Sequence, residues 1–459
     1  MSDKYSKLFA EYSAGLQYED VPAESAHEAK RRILDSIGVS MAAFSEDAPK
    51  AARMFAYDFE QPNGATVWGA PSRVTPEAAT FANGLMTRYL DFNDTYLSLE
   101  PLHPSDMIPG FMALCEWAGK PPRDILTAIA AGYEVSVNLC DAASVRAHQW
   151  DHVVYTGIGA ACGAGSIMGQ SADTIEHTIS IASVPHASMR QTRAGELSMW
   201  KGAAAANSVR NAVFASLVAQ RGLTGPYQPF DGEMGFFAQL LGGKPFDDAA
   251  LTSLTDGAAP TRIQDTYIKK WPVEYHAQSA VDAAVELRDE LGGDINLIDS
   301  IHLDTFKVSY EIIAKDPEKW APKTRETADH SLMYIVAAAL LDGTVTKHSF
   351  SQQMLDSADI KSLLGKTTLE EDDALTEGYP EGIPNRITIK TKDGGTLARE
   401  VSFPRGHAMN KMTDDEVERK FMLNVEDVWT EEQARQVIDL VWHIDGQRDL
   451  SALMEAMRI

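Results

Sequence analysis

Three basic residues lie close together in the sequence and point to anion binding. Arg190, Arg193 and Lys201 share a short segment in which Glu196 is the one acidic residue, and the segment leads into an alanine-rich helix predicted to run through Arg210. The whole chain carries a formal net charge of −25. A multiply charged anion would be repelled by that general field, so a locally basic segment is suited to binding one. The alternative is that the arginines form a solvated face.

Two histidines lie near carboxylates and are candidates for general acid–base chemistry. His103 comes a short distance after Asp91 and Asp94 and directly before a proline, which stiffens the turn. His152 directly follows Asp151. A histidine within reach of a carboxylate can be oriented and tuned as a base. The alternative for each is a structural histidine that caps the helix following it.

Two further candidates lie in the second half of the chain. Lys269 belongs to a Lys-Lys-Trp-Pro run at the predicted domain junction, a common position for a binding cleft. His330 and Tyr334 are four residues apart and therefore share one face of a helix. That pair could be a core hydrogen bond as easily as a proton-donor site.

Length and charge limit the classes of protein to which this chain can belong. A chain of 459 residues predicts two or three domains. The excess of 66 acidic over 41 basic residues argues against nucleic acid as a partner, because binding phosphate backbones requires a basic surface. The sequence contains no apolar run of 18 residues, so no membrane span is expected. The N-terminal segment lacks the apolar core of a signal peptide, and we expect a cytoplasmic protein.

The spacing of the cysteines and of a glycine-rich run argues against two functional interpretations, a metal cluster and a dinucleotide site. Cys115, Cys140 and Cys162 lack the short spacing of cluster ligands, so buried structural thiols are the better interpretation. The run Gly157–Gly165 superficially resembles a dinucleotide fingerprint, but Cys162 replaces its third glycine and no βαβ alternation surrounds it. Small residues at helical spacing more simply allow two helices to approach closely.

The apolar pattern divides the chain into two kinds of structure. Up to residue 265 it predicts almost only helices, such as the stripe from Ala26 to Met41 and a helix that begins at Thr75-Pro76. Beyond residue 266 it predicts a strand at 298–306 and a hairpin around Asp393-Gly394-Gly395. Helix returns at Thr413, where a capping box begins. The prediction is a mainly α protein with an inserted α+β domain: residues 1–265 and 405–459 helical, residues 266–404 α+β.

Several runs spread along the chain resemble those of the MmgE/PrpD family, and they occur in the family's order over roughly residues 5–455. These runs are Tyr89–Thr95, Leu102–Ser105, Arg193–Lys201, Lys269–Gln278, His330–Tyr334 and Phe403–His407. The resemblance implies a large all-helical domain built from both chain ends and a smaller lid domain, with the site between them. It also implies a homodimer that works without a metal or organic cofactor on a small di- or tricarboxylate.

The resemblance also implies a set of site residues. They are Asp91, Thr95, His103, His152, Lys201, Lys269 and Tyr334, all of the expected side-chain type. Among them, His103 is expected to act as the base, oriented by Asp91, and His152 or Tyr334 to protonate the leaving hydroxyl. The expected substrate-binding residues are Thr95, Lys201 and Lys269, with help from Arg193.

Three features resemble the dehydratase members of the family more than the decarboxylases. Glu274 stands where decarboxylases have a histidine, and Thr95 and His103 are two residues further apart than in a decarboxylase. The amino-acid sequence of residues 195–201 also resembles that of the dehydratases. The resemblance therefore implies elimination of water from 2-methylcitrate to give 2-methyl-cis-aconitate, as in propionate breakdown. Decarboxylation of cis-aconitate, epimerisation at an α-carbon as in iminodisuccinate epimerase, and a binding protein without activity are the alternatives.

Overall fold

The computed structural model describes residues 3–195 and 197–459; Glu196 of the basic segment lies outside them. The chain is mostly helical with a small mixed sheet, and it divides into two compact units. The first unit comprises residues 3–195, 199–266 and 413–459. The second comprises residues 267–412, grouped with 197–198.

The helices of the first unit up to residue 266 vary from one turn to twenty residues in length. In chain order they are α1 (Lys4–Gly15), α2 (Ala23–Ala42), α3 (Asp47–Tyr57), α4 (Pro76–Tyr89), α5 (Ile108–Ala118), α6 (Arg123–Ala142), α7 (Val153–Met168), α8 (Ala172–Ser183), α9 (Trp200–Ala219), α10 (Phe236–Leu240) and α11 (Thr252–Thr255).

Local sequence signals explain where these helices begin and how closely they pack. The Thr75 side chain accepts a hydrogen bond from the Ala78 amide, and proline occupies the first turn of α4, as predicted. The glycine-rich run lies within α7 and packs against α6. A Cβ added to Gly159 would lie 2.7 Å from the Gly132 carbonyl oxygen, so the absence of a side chain is what permits this approach. The helix-packing interpretation is confirmed.

One part of the prediction for the first unit is wrong, because the unit is not all-helical. Residues Glu60–Thr66 form β1 and Arg73–Val74 form β2, and the two strands pair antiparallel. The β1 sequence is polar and contains proline and glycine, so it lacks the alternation that predicts a strand. Gly64 is required there because an added Cβ would lie 2.2 Å from the Val74 carbonyl oxygen.

The second unit combines short helices with a four-stranded sheet. Its helices are α12 (Gln278–Glu290), α13 (Lys307–Ile313), α14 (Pro317–Trp320), α15 (Arg325–Ala328), α16 (Leu332–Asp342), α17 (Gln352–Leu355), α18 (Ala358–Gly365) and α19 (Asp373–Glu377). Its strands are β3 (Ile298–Thr305), β4 (Thr367–Glu371), β5 (Asn385–Thr391) and β6 (Thr396–Val401).

The sheet has the order β4-β3-β5-β6, with β3 and β4 parallel and the other pairs antiparallel. The predicted strand at 298–306 and the predicted hairpin are confirmed as β3 and as β5 with β6. β4 was not predicted, because its short Thr-Thr-Leu-Glu-Glu sequence lies in an acidic, glycine-containing stretch. Buried side chains of β3 and β5, including Ile301 and Ile389, belong to the same core as helices α12 and α16.

The chain returns to the first unit in three helices: α20 (Asp414–Val425), α21 (Glu431–Trp442) and α22 (Ser451–Ala456). Thr413 and Glu416 form the predicted capping box at the start of α20. α20 packs closely against α2, where a Cβ on Gly38 would lie 2.9 Å from the ring of Phe421. Residues from both ends of the sequence therefore share one compact unit.

All three cysteines are free and buried, which confirms their interpretation as structural thiols. Burial raises the pKa of the Cys162 thiol to about 12, so this thiol stays protonated near neutral pH. Within residues 3–195 and 197–459, no helix combines the length and apolar character needed to cross a membrane.

Candidate functional site

Asp91 lies just beyond α4, in a backbone conformation that few residues adopt. Its φ of 51° falls in the left-handed region, which aspartate tolerates better than most side chains. Its carboxylate forms a buried ion pair with Arg88 and accepts a hydrogen bond from the Lys201 ammonium at 3.4 Å. Lys201 lies in the first turn of α9, and close packing of α9 on Tyr89 brings it there: an added Cβ at Gly202 would lie 3.1 Å from that ring.

The hydrogen bond of His103 fixes which ring nitrogen carries its proton. His103 Nδ1 lies 2.7 Å from the Asp94 backbone carbonyl oxygen, which can only accept, so Nδ1 is the donor. In the neutral ring Nε2 therefore holds the lone pair, and it faces the Asp91 carboxylate at 3.9 Å. This arrangement suits a general base whose charged form is stabilised by a nearby anion. The Asp94 carbonyl thus orients the ring at Nδ1, a contact that the sequence did not predict, and orientation by Asp91 stays a proposal.

The Asp94 side chain anchors the carbonyl that holds His103. Its carboxylate accepts hydrogen bonds from the Ser105 amide at 2.9 Å and from the Tyr133 hydroxyl at 2.7 Å, and Arg32 lies 3.9 Å away. Burial raises the pKa of Asp94, and Arg32 and these hydrogen bonds oppose the increase. Asp94 and Tyr133 thus form a buried polar support behind the histidine.

His152 lies beside His103, with 5.7 Å between the ring centroids, and is held by two charged neighbours. Its Nδ1 lies 3.3 Å from the Asp151 carboxylate, and its Nε2 lies 3.4 Å from Nη2 of Arg193. Because the guanidinium can only donate, Nε2 accepts and Nδ1 carries the proton. Arg193 Nε also binds Asp151 at 2.9 Å. In this structure, Arg193 therefore orients His152.

The charge state of His152 follows from these surroundings. Burial, followed by the positive charge of Arg193, lowers the pKa of His152 to about 3, although Asp151 opposes the change. The ring is therefore neutral near pH 7. The role of His152 in protonating a leaving hydroxyl stays a proposal; in this structure its Nε2 accepts from Arg193 and its Nδ1 proton lies toward Asp151.

His152 also gives a testable dependence of stability on pH. The unfolded chain takes up a proton near pH 6.5 that the folded chain accepts only near pH 3, so stability falls as pH falls between these values. This site should cost about 2 kcal/mol at pH 5 relative to pH 7. His152→Gln should remove that contribution, measured as free energy of unfolding in urea across pH 7 to 5. His443→Gln, at an exposed position, is the control; an unchanged slope in His152→Gln would contradict the prediction.

Thr95 lies next to this group, and its hydroxyl has a structural partner. Thr95 Oγ1 donates to the Leu102 carbonyl oxygen at 3.1 Å and so closes the loop that leads to His103. Tyr96 and Leu102 extend this closure through two backbone hydrogen bonds of 2.8 and 2.9 Å. Thr95 therefore shapes the loop, while its oxygen retains acceptor capacity for a ligand.

Lys269 and Glu274 belong to the second unit. Lys269 is buried, and its ammonium donates to the Val273 carbonyl oxygen at 3.3 Å. The Glu274 carboxylate accepts hydrogen bonds from His276 through Nδ1 at 2.7 Å and through the backbone amide at 2.8 Å. Burial alone raises the pKa of Glu274, but His276, with smaller contributions from His330 and Lys269, outweighs it and lowers the pKa to about 2. Glu274 is thus ionised near neutral pH.

Tyr334 lies in the core of the second unit. Its hydroxyl donates to the Ser349 carbonyl oxygen at 2.8 Å, and its ring packs near Phe350. Burial raises the pKa of Tyr334. Tyr334 therefore makes a core hydrogen bond to a backbone carbonyl, while Nδ1 of His330 lies 2.5 Å from the Asp329 carboxylate. The role of Tyr334 as a proton donor stays a proposal from the resemblance.

The structure thus brings Asp91, His103, His152, Lys201 and Arg193 together in the first unit. Sequence reasoning missed Arg88, which is almost fully buried and paired with Asp91. The sequence does contain a signal for Arg88. It falls three residues after Leu85, on the apolar face of α4, and three residues before Asp91.

The chain thus consists of a mostly helical unit that contains the buried His103 and a second unit built on a four-stranded mixed sheet. The chain belongs to the MmgE/PrpD family: the profile of the MmgE/PrpD N-terminal domain matches residues 7–249, and that of the MmgE/PrpD C-terminal domain matches residues 271–444. The predicted family is confirmed.

The similar proteins carry the names of two different enzymes. The chain is 30% identical to the 2-methylcitrate dehydratase of Cupriavidus necator, over 86% of this chain and 83% of the relative. It is 27% identical to the 2-methylcitrate dehydratase of Salmonella typhimurium, over 93% and 91%. It is also 25% identical to the human cis-aconitate decarboxylase, over 100% of this chain and 95% of the relative. These similarities support an enzyme of this family and leave the particular reaction open.

Proposed function

We propose that this chain is a 2-methylcitrate dehydratase, a hydro-lyase that converts 2-methylcitrate to 2-methyl-cis-aconitate without a cofactor. The observation that carries the proposal is the tautomer of His103, whose Nε2 lone pair faces a carboxylate paired with the Lys201 ammonium. Removing a proton from carbon beside a carboxylate requires a base of this kind and a cation for the charge that develops.

The steps follow from these groups. His103 Nε2 takes the proton from the carbon beside a carboxylate, and the electron pair of that C–H bond moves toward the carboxylate, which becomes dianionic. Lys201 stabilises this charge, and Asp91 stabilises the imidazolium. The electron pair then forms the carbon–carbon double bond as the C–O bond of the tertiary hydroxyl breaks. The imidazolium returns its proton to the departing hydroxide, which leaves as water.

Glu274 favours the dehydratase over the decarboxylase as the particular reaction. Its carboxylate is ionised near neutral pH, at the position where the decarboxylases that this sequence resembles have a histidine. If the resemblance holds at this position, an ionised carboxylate there would accept a hydrogen bond from a substrate hydroxyl. 2-Methylcitrate carries that hydroxyl and cis-aconitate does not. Lys269 remains, on the resemblance, a proposed ligand of a substrate carboxylate.

Product analysis with three substrates tests the proposal. Purified protein with a chelator is incubated with 2-methylcitrate, citrate or cis-aconitate, and both unsaturated tricarboxylate and carbon dioxide are measured. We expect an unsaturated product from 2-methylcitrate, slower turnover of citrate and no carbon dioxide. Release of itaconate from cis-aconitate would establish the decarboxylase instead. Complete loss of activity on adding chelator would overturn the cofactor-free mechanism.

Three further expectations from the sequence and the resemblance stay proposals. They are a homodimeric assembly, a cytoplasmic location and a lid function for residues 266–404. Sedimentation of the purified protein at several concentrations would test the first of them.

A further inference from the structure

Lys420 connects the C-terminal part of the chain to the residue that follows Asp91. It lies in α20, is 6% exposed, and donates to the Phe92 carbonyl oxygen at 2.9 Å. The same ammonium lies 2.6 Å from the Asp35 carboxylate of α2 and 3.8 Å from the centre of the Phe92 ring. A buried ammonium with this set of contacts is held in one place.

These contacts lie on the stretch of backbone between Asp91 and Asp94, the two residues that contact His103. Asp91 adopts the left-handed conformation, and the contacts around it hold it there: the Asp91 amide donates to the Arg88 carbonyl oxygen at 3.1 Å on one side. Lys420 holds the Phe92 carbonyl on the other side. Asp94, two residues beyond Phe92, supplies the carbonyl that orients His103. A shift at Phe92 would therefore displace both the carboxylate facing Nε2 and the acceptor at Nδ1.

We propose that Lys420 is a positioning residue, which acts through the Phe92 carbonyl to hold Asp91 and the Asp94 carbonyl in register with His103. Its kinetic consequences rest on the proposed function. Small misplacements of catalytic groups lower rates strongly, so Lys420→Met should lower kcat for 2-methylcitrate by about 10- to 100-fold with a smaller change in KM.

Two matched variants separate positioning from stability. Lys30 also bridges α2 to the C-terminal segment, donating to the Trp442 carbonyl oxygen at 3.0 Å and to Asp445 at 2.7 Å, so Lys30→Met removes a comparable bridge elsewhere. Asp35→Asn removes the charge partner of Lys420 and keeps its hydrogen bond to Phe92. Both variants should retain kcat within about 2- to 3-fold, and Tm measured for each variant reports the shared loss of stability.

A readout independent of activity completes the test. In protein labelled at histidine Cε1, the signal of His103 is assigned among the 12 histidines by its absence in His103→Asn. Lys420→Met should shift that signal and Lys30→Met should not. If Lys420→Met does not fold, Asp35→Asn/Lys420→Met, which removes both buried charges, takes its place.

The outcomes separate this inference from the proposed function. Equal losses of kcat in the two lysine variants, an equal loss in Asp35→Asn, or an unmoved His103 signal in Lys420→Met would each overturn the positioning role. A wild-type protein inactive on 2-methylcitrate would instead overturn the proposed function, and the His103 signal would still decide the role of Lys420.

Discussion

His103→Asn is expected to lower kcat for 2-methylcitrate by about 10²–10⁴-fold, the usual contribution of one general base, and to leave KM little changed. Asparagine keeps approximate size and can still donate a hydrogen bond toward the Asp94 carbonyl, which His103 Nδ1 contacts at 2.7 Å. It lacks a lone pair basic enough to take a proton from carbon. The loss therefore falls on the chemical step, and steady-state kinetics with substrate below and above KM measures it.

The matched control is His152→Asn in the same part of the first unit. His152 is neutral and its Nε2 accepts from Arg193, so we expect a smaller loss of kcat than for His103→Asn. Near-normal kcat in His103→Asn together with abolished activity in His152→Asn would mean that the two histidines exchange roles. Circular dichroism on both variants verifies that the fold is intact.

The elements that the sequence predicts well are those whose signals are local. The capping box at Thr413, the Thr75-Pro76 helix start and the hairpin around Gly394-Gly395 each depend on residues a few positions apart. Strand β4 and the paired strands β1 and β2 were not predicted, because their sequences show no alternation of apolar and polar residues. Their pairing is decided by partners elsewhere in the chain, such as β3 for β4.

The candidate site shows the same division between what local sequence predicts and what depends on contacts elsewhere in the chain. Residue types and resemblance pointed to Asp91, His103 and Lys201, and the structure places these side chains together. The roles of individual groups required geometry. That the orienting acceptor of His103 is a backbone carbonyl, and that the Tyr334 hydroxyl is committed to Ser349, depend on contacts that no spacing rule specifies.

Contacts between residues far apart in the sequence could not be predicted from any local pattern. Lys420 is a single lysine within a polar helix, and its sequence neighbours give no sign that it reaches the backbone beside Asp91. Tyr133 fits the apolar stripe of α6 equally well as a core residue or as the hydrogen-bond donor to Asp94 that it is. Both contacts exist because helices distant in sequence pack together in the first unit.

Lys201→Met is expected to lower kcat by about 10²–10³-fold and also to raise KM, because a preorganised cation stabilises the charge that develops in the transition state as well as the bound carboxylates. Lys201→Arg keeps the positive charge and should retain more activity than the methionine variant. Steady-state kinetics with 2-methylcitrate gives both constants. A rise in KM with unchanged kcat would show that the lysine holds only ground-state charge.

Because the Lys201 ammonium lies 3.4 Å from Asp91, the loss could also arise from the changed charge balance around that carboxylate, which Arg88 would then hold without the lysine. The double variant Asp91→Asn/Lys201→Met separates the two causes through a double-mutant cycle. If Lys201 acts on the substrate, removing the Asp91 charge cannot restore kcat, since the dianionic intermediate still lacks its cation. Recovery of kcat in the double variant would assign Lys201 to balancing Asp91 and would leave the stabilising cation to be sought among the other basic side chains.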